Sequence, residues 1–540
     1  MWSHQYTPAG GSLPLSTLAA ALPVAALLIV LAGLRKASWI ASLAGLATAA
    51  IVAVAIYGMP VSLAASAAAY GAAQGLFPIG WVVFAAILLY NITVATGRFD
   101  IVRASVANLT ADRRLQALLI AFAFGAFIEG AAGFGTPVAV AAAMLTGLGF
   151  QPFRAATICL LANTAPVAFG SIGTPLIMLA TVTGLPLLQL SAGVGRICAP
   201  VSLFIPAYLI LVMGGWKALR GVLPAALLCG ITFGGMQFLI SNYIGAGLTD
   251  ILASLTAIVA LVVLLRFWHP RDDFQLEGDG EAHPRTTIPF GQVVSAWTPF
   301  ALLVVCVLVW GLKPVQTELG NAAIKFPWPG LHRLITRMPP VALKATPYDA
   351  IYTFNWLSAS GTACFVAAIL SAIVARMSPS ALLGVLGRTV KQLVIAESTI
   401  AIVLGLAFLM NYSGATGTLG LSFATAGKMF PFFGALLGWM GVFLTGSDTS
   451  ANALFGSLQV VTAQKLHMSP VLMAAANSSG GVMGKMISLQ NIAVAACATG
   501  LAAADESRLF RFTLRHSIFL ACVIGAIAMV YAYATPGFTQ

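Results

Sequence analysis

The chain has 540 residues, 59% hydrophobic and only 8% charged, with a mean hydropathy of +0.95. A soluble domain carries about 25% charged residues, so a water-exposed globule of ordinary size is excluded. The net charge of +12 does not point to nucleic acid. The 27 Lys and Arg residues lie mainly in short loops between apolar segments, the pattern that orients membrane spans in a lipid bilayer.

In chain order, apolar segments long enough to cross a bilayer are predicted at 14–34, 39–57, 77–96, 153–183, 189–213, 219–241, 245–267, 293–313, 351–375, 392–411, 470–500 and 512–534. Segments 153–183 and 470–500 are interrupted. Two further apolar stretches, 115–150 and 431–465, are broken near their middles by Gly-rich and polar runs. Each reads as a re-entrant hairpin that enters and leaves by one face. Segments 62–76 and 414–427 are expected to be short helices near an interface. With no basic residue before Arg35 and no small-residue cleavage site, the first span is expected to direct insertion itself rather than act as a cleaved signal peptide. The predicted fold class is thus an all-α polytopic membrane protein of about 12 transmembrane helices plus two re-entrant hairpins.

Charge tests this topology. With both termini placed on the periplasmic side, eighteen basic residues fall on the cytoplasmic side and seven on the periplasmic side. Those seven are Lys313, Lys325, Arg333, Arg337, Lys344, Lys428 and Lys465. Five of them share one long loop, 313–350, where the positive-inside rule has least force. The most polar stretch, 268–291, reads as a cytoplasmic linker between a first half, 1–267, and a second half, 292–540.

All seven cysteines (Cys159, Cys198, Cys229, Cys306, Cys364, Cys497 and Cys522) fall in apolar segments without CxxC spacing. They read as small hydrophobic residues, and neither a metal site nor a disulfide framework is expected. No cofactor is implied.

The two halves show internal similarity. Gly125-Ala-Phe-Ile-Glu-Gly130 matches Gly441-Val-Phe-Leu-Thr-Gly446 at an offset of 316, and Ala162-Asn-Thr-Ala-Pro-Val-Ala-Phe-Gly170 matches Ala476-Asn-Ser-Ser-Gly-Gly-Val-Met-Gly484 at 314. In the predicted topology the hairpins start from opposite faces, so the repeats are inverted. Inverted repeats are the architecture of many secondary transporters, with the substrate site near midplane.

The breaks are where chemistry is expected. The hairpin tips are Glu129-Gly-Ala-Ala-Gly-Phe-Gly-Thr-Pro137 and Thr445-Gly-Ser-Asp-Thr-Ser-Ala-Asn452. The helix interruptions are Asn163-Thr-Ala-Pro166 with Gly170-Ser-Ile-Gly-Thr-Pro175, and Asn477-Ser-Ser-Gly-Gly481 with Gly484-Lys485. Unpaired backbone groups in hydrocarbon cost several kcal/mol each, so such breaks face a polar cavity or buried protein. Half-helix N-termini then offer partial positive charge to an anion. Scattered glycines elsewhere are accounted for by close helix packing. At these four segments polar residues accompany the glycines in both halves. The substrate-binding candidates are therefore Lys485, Asn163, Thr164, Asn477, Ser478, Ser479, Gly133, Gly135, Thr449, Ser450 and Asn452.

Five charged residues are placed within the membrane: Glu129, Arg196, Glu397, Asp448 and Lys485. Each costs about 2.5–3.5 kcal/mol at midplane, so each calls for a partner or a function. Lys485 either holds a substrate carboxylate or forms a buried salt bridge with Asp448. Asp448 and Glu129, at corresponding hairpin tips, are the candidates for proton coupling. Glu397, one turn inside its span, is expected to snorkel to the interface. Arg196 either guards an anion path or sits at the periplasmic rim. None of the six histidines lies deep within a span, His516 being at the start of 512–534, so an imidazole relay is not expected.

Several of these segments resemble the bacterial lactate permease family. They are GAFIEGAAGFGTPVAVAAAML (125–145), LANTAPVAFGSIGTP (161–175), LMNYSG (409–414), GWMGVFLTGSDTSANALFG (438–456), AANSSGGVMGKMISLQNIAVA (475–495) and DESRLFRFTLRHS (505–517). The likeness extends over nearly the whole chain. It implies proton-coupled uptake of L-lactate, and often D-lactate and glycolate, across the bacterial inner membrane. Glu129, Gly133, Gly135, Asn163, Asp448, Asn452, Asn477 and Lys485 lie within the matching motifs, which do not assign their individual roles.

A sodium-coupled or exchanging carrier of another organic anion is the alternative, since Ser, Thr and backbone oxygens at the hairpin tips also suit sodium. An intramembrane hydrolase lacks support: there is no HExxH and no GxSxG. Oligomeric state is left open by the sequence.

Overall fold

A computed structural model of the chain describes residues 1–34, 36–133, 135–272, 274, 288–342 and 344–535. The greater part of the predicted linker 268–291, with His283 and Arg285, lies outside the described residues, as does Arg35. Among the described residues ten helices are long and apolar enough to cross a membrane, or twelve when each of two bent pairs counts as one span. The chain is an all-helical polytopic membrane protein in its spanning part.

The helices follow the apolar segments closely, with informative departures. Predicted spans 189–213 and 219–241 are both helical within Leu187–Tyr243, separated by non-helical backbone at Gly214 and Gly215, and they fold back on each other, with Ser191 Oγ donating to the Ser241 carbonyl at 2.8 Å. Residues 62–76, expected as an interfacial helix, form Val61–Gln74 and pack along Pro379–Ser413. The contact depends on small residues: a Cβ on Gly75 would lie 3.0 Å from the Ala401 Cα. Predicted span 351–375 is helical only over Ser360–Val374, because Ile351–Phe354 pairs instead as a strand with Ile324–Pro327.

Predicted span 392–411 is part of a longer helix, Pro379–Ser413. Glu397 therefore sits near the middle of that helix. Its carboxylate faces Gly80, and Oε1 has no hydrogen-bond partner among the described residues. His516, at the start of the predicted span 512–534, lies within the helix Ala503–Tyr533; its Nδ1 is 2.6 Å from the Tyr208 hydroxyl.

The chain is not purely helical outside the spans. Trp2–Ser3 pairs in parallel with Ile335–Arg337, which pairs antiparallel with Thr346–Pro347. The N-terminus and the long loop before the second half therefore share one face of the bundle. The loop also closes over the helix ends through Tyr348, stacked on Tyr412 at 4.2 Å between ring centroids.

Each half contains a helix–turn–helix followed by a broken helix. In the first half these are Arg113–Ala131 with Thr136–Gly147, then Pro152–Ala162 with Val167–Thr183, bent by 65°. In the second they are Phe430–Thr445 with Asp448–Lys465, then Pro470–Ile487 with Leu489–Thr499, bent by 42°. The predicted segments 115–150, 153–183, 431–465 and 470–500 coincide with these four elements. Arg113–Ala131 is wholly enclosed by its neighbours, as a segment carrying polar breaks must be in hydrocarbon.

Candidate functional site

The breaks come together around one cavity of about 390 Å³. Glu129, Gly135, Ser171 and Thr174 line it from the first half, and Asp448, Thr449, Ser450, Lys485, Gln490 and Asn491 from the second. Gln392, Ala396 and Thr399 of the Pro379–Ser413 helix form the facing wall. Ala37 and the exposed Trp39 lie at its edge, so the cavity reaches the face that carries the loop between the first two spans.

Local backbone explains why these residues are available. Gly135 (φ +80°) ends the turn of the first hairpin and begins Thr136–Gly147. Gly446 (φ +72°) closes Phe430–Thr445. Both positions are left-handed, which glycine adopts without steric cost. Ser447 then caps Asp448–Lys465 by accepting from the Ser450 N–H, and Ser488 caps Leu489–Thr499 by accepting from the Asn491 N–H.

The first broken helix is more unusual. Ser171, Ile172 and Gly173 have φ of +45°, +57° and +75°. A β-branched residue in the left-handed region is an outlier, and strain of this kind concentrates at functional sites. The Ser171 hydroxyl donates to the Ala132 carbonyl at 2.8 Å, which ties the break to the tip of the first hairpin.

The consequence is a convergence of helix N-termini. The starts of Thr136–Gly147, Asp448–Lys465 and Leu489–Thr499 all line the cavity, as does Thr174, where helical backbone resumes after Gly173. Each start carries unpaired N–H groups and partial positive charge, the condition for anion binding.

The charged residues join the two halves. Lys485 is 7% exposed, and its Nζ donates to Glu129 Oε1 at 2.6 Å. The buried partner of Lys485 is thus Glu129 and not Asp448. Asn163 Nδ2 donates to the other oxygen of Glu129 at 2.9 Å. Asp448 is held by neutral groups: Ser478 Oγ donates to Oδ2 at 2.6 Å and Asn452 Nδ2 at 3.2 Å. Its Oδ1 is buried without a hydrogen-bond partner among the described residues.

The remaining sequence candidates divide by position. Asn452, Asn477 and Ser478 stand behind Asp448 rather than on the cavity. Asn477 Nδ2 donates to Asn452 Oδ1 at 3.0 Å, and Asn452 Nδ2 reaches the Pro175 carbonyl at 3.1 Å. Gly133 packs against the Ser171 hydroxyl. Thr164 donates to the Leu161 carbonyl, closing its own helix end. Ser479 is buried, its hydroxyl without a hydrogen-bond partner among the described residues. Arg196 lies apart from the cavity, with Nε donating to Asn242 Oδ1 at 2.8 Å.

Four contributors were not singled out individually from the sequence. Ser171 and Thr174 belong to a break that the sequence flagged. Asn491, whose Nδ2 donates to the Lys485 carbonyl at 3.0 Å, follows the second interruption. Gln459 donates to Asn477 Oδ1 at 3.1 Å; being mid-helix, it offered only its polarity within an apolar run as a signal.

Broken helices meeting at a polar cavity inside a helical membrane bundle are the arrangement of a solute carrier. Residues 16–535 match the family model described as L-lactate permease. The glycolate permease GlcA of Escherichia coli K12 is 44% identical over 99% of this chain and 99% of that protein. An L-lactate permease of Bacillus subtilis strain 168 is 46% identical over 98% of both. Among solved structures, the Alcanivorax borkumensis YdaH transporter aligns at 13% identity with a TM-score of 0.47, over 87% of this chain and 88% of that chain. The chain belongs to the L-lactate permease family, and is a transporter rather than an enzyme.

Proposed function

We propose that this protein carries L-lactate and related small 2-hydroxy monocarboxylates, D-lactate and glycolate among them, in symport with protons across the bacterial inner membrane. The observation that carries the anion reading is the convergence of helix N-termini and the buried cation Lys485 on one cavity. The names of the relatives, L-lactate permease and glycolate permease, supply the substrate class.

In this reading the substrate carboxylate takes Lys485 from Glu129, with backbone N–H groups at the starts of Asp448–Lys465 and Leu489–Thr499 completing its hydrogen bonds. Thr449, Ser450 and Asn491 are placed to meet the 2-hydroxyl. Glu129, once released, is a buried carboxylate without its cation and takes up a proton; Asp448 is the second proton-coupling candidate. An anion is thereby moved with its charge compensated.

Alternating access in this reading is movement of the elements that carry the breaks, 113–183 and 430–499, against the facing wall of Pro379–Ser413. On the side away from Trp39, Ser457 Oγ donates to the Val182 carbonyl at 2.6 Å and accepts from Asn411 Nδ2 at 3.0 Å. These bonds join three helices on that side of the bundle. The positive-inside count puts both termini in the periplasm, and the hydrogen bond from Tyr533 to the Lys428 carbonyl at 2.7 Å supports a shared face for the C-terminus and that basic residue.

The test is uptake of labelled lactate into proteoliposomes under an imposed pH gradient. Accumulation that follows the pH gradient is expected. Accumulation that ignores it and follows a sodium gradient would replace the proton with sodium.

A further inference from the structure

Asp250 is the buried acid that the site described so far does not use. It sits in the first turn of the helix Thr249–Phe267 and is 1% exposed. Neither Oδ1 nor Oδ2 has a hydrogen-bond partner among the described residues. A buried polar group without a partner is costly, and in a membrane-embedded acid that cost marks function.

Its position is specific. The Asp250 Cβ lies 2.8 Å from where a Cβ on Gly130 would stand, so it packs on the residue that follows Glu129. It is within electrostatic reach of both Glu129 and Lys485. The titratable groups within electrostatic reach of it include Glu129, Lys485 and Cys198; Arg196 Nε donates to Asn242. Six residues before Asp250 the chain is at the surface, with Tyr243 75% and Ile244 49% exposed. Tyr531, near the C-terminal end of the last helix, reaches back to the carbonyl of Arg196 on that side. Asp250 thus stands between Glu129 and the face opposite the one the cavity reaches.

Charge balance gives this position a purpose. Glu129, Asp250, Asp448 and Lys485 are buried together, three acids against one cation. With Asp250 and Asp448, which are not hydrogen-bonded to Lys485, both protonated, the empty site is neutral. A substrate anion on Lys485 restores neutrality only if one proton arrives on Glu129. We propose that Asp250 delivers that proton, serving as the relay between Glu129 and the face opposite the cavity. The O–H bond of Asp250 breaks as the proton joins the Glu129 carboxylate released by Lys485, and water at that face then reprotonates Asp250. Lys485 stays protonated throughout. This inference rests on the proton-symport reading above.

The experiment uses the full-length protein in proteoliposomes and compares two modes. Uphill accumulation of labelled lactate under a pH gradient requires net proton movement; exchange of labelled for unlabelled lactate does not. Asp250→Asn is expected to reduce uphill accumulation to the level of empty liposomes while exchange persists at the wild-type rate. If the variant accumulates lactate as the wild type does, the relay is overturned. If it is folded by gel filtration yet loses exchange as well, Asp250 is structural and the relay is overturned. Should Asp250→Asn fail to fold, Asp250→Glu, which keeps an acid, decides: a displaced pH profile of uphill uptake with exchange unchanged supports the relay, and an unaltered profile overturns it. A wild-type protein that ignores the pH gradient would instead overturn proton symport itself.

Discussion

Lys485, in the second half of the chain, donates a 2.6 Å hydrogen bond to Glu129 in the first. The two residues are separated by 356 positions, and each lies at a helix break. This pair is both a structural link between the halves and the element that a substrate carboxylate must open.

Its removal should therefore cost stability and transport together. Deleting one member of a buried pair leaves the other uncompensated, at a cost of about 3–5 kcal/mol. Lys485→Gln is expected to abolish lactate uptake, and Glu129→Gln to abolish pH-driven accumulation while lactate still binds. The double variant Lys485→Gln/Glu129→Gln should recover much of the lost thermal stability without recovering uptake. Thermal unfolding in detergent, read beside transport, checks this. A Lys485→Gln protein that transports normally would remove Lys485 from the site.

Ser478 tests the support behind Asp448. Its hydroxyl donates to Oδ2 at 2.6 Å from a position off the cavity. A typical hydrogen bond contributes about 0.5–1.5 kcal/mol. Ser478→Ala is expected to shift the pH dependence of uptake with little change in apparent affinity, whereas Thr449→Ala or Ser450→Ala, on the cavity, should weaken affinity. Transport kinetics across a pH series separates the two behaviours.

The second hairpin depends on close approach of two helices. A Cβ on Gly438 would lie 2.7 Å from the Asn477 carbonyl carbon, and one on Gly480 2.6 Å from that of Ala435. Overpacking of this kind costs about 1–3 kcal/mol. Gly438→Val should lower thermal stability and impair uptake by displacing Asn477 and the Asn452 that it holds. Gly235, where a Cβ meets nothing within 4 Å, provides the control, and Gly235→Ala should be near neutral.

Outside the membrane, acid sensitivity is predicted at the start of the linker. The Arg114 guanidinium, hydrogen-bonded at 2.7 and 2.9 Å, holds the Asp272 carboxyl below its ordinary 3.8. A carboxylate depressed in the folded state contributes stability above its unfolded pKa, and that contribution is lost as pH falls through the folded value. Wild type and Asp272→Asn should therefore differ in thermal stability at neutral pH and converge well below pH 3.8. A constant difference across that range would assign the effect to something other than this ion pair.

Much of the architecture was legible because hydrophobic runs and their breaks are local properties. Gly- and Pro-rich runs at 129–137 and 163–175 and the polar run at 445–452 marked the hairpin tips and the break that the fold brings to the cavity. Misreadings arose where neighbours decide. The helix that carries Glu397 begins at Pro379 rather than with the apolar run at 392, extending through the exposed Arg388 and Lys391. Val61–Gln74 was too small and Ala-rich to read as a packed helix, and it is that smallness which lets it lie against Pro379–Ser413.

The sequence by itself determined that the chain belongs in a bilayer, that its helices break at four polar segments, and that acids and a lysine sit in or beside those breaks. Composition and spacing carry that information because hydrocarbon penalises unpaired backbone and charge wherever they occur along the chain. Only the tertiary structure decided the pairing: Glu129 with Lys485, Asp448 with Ser478 and Asn452, and Asp250 with no partner. Charges hundreds of residues apart meet through the packing of helices. Asp250, six residues from the exposed Ile244, is buried because the first hairpin and the helix Leu187–Tyr243 both pack against its helix.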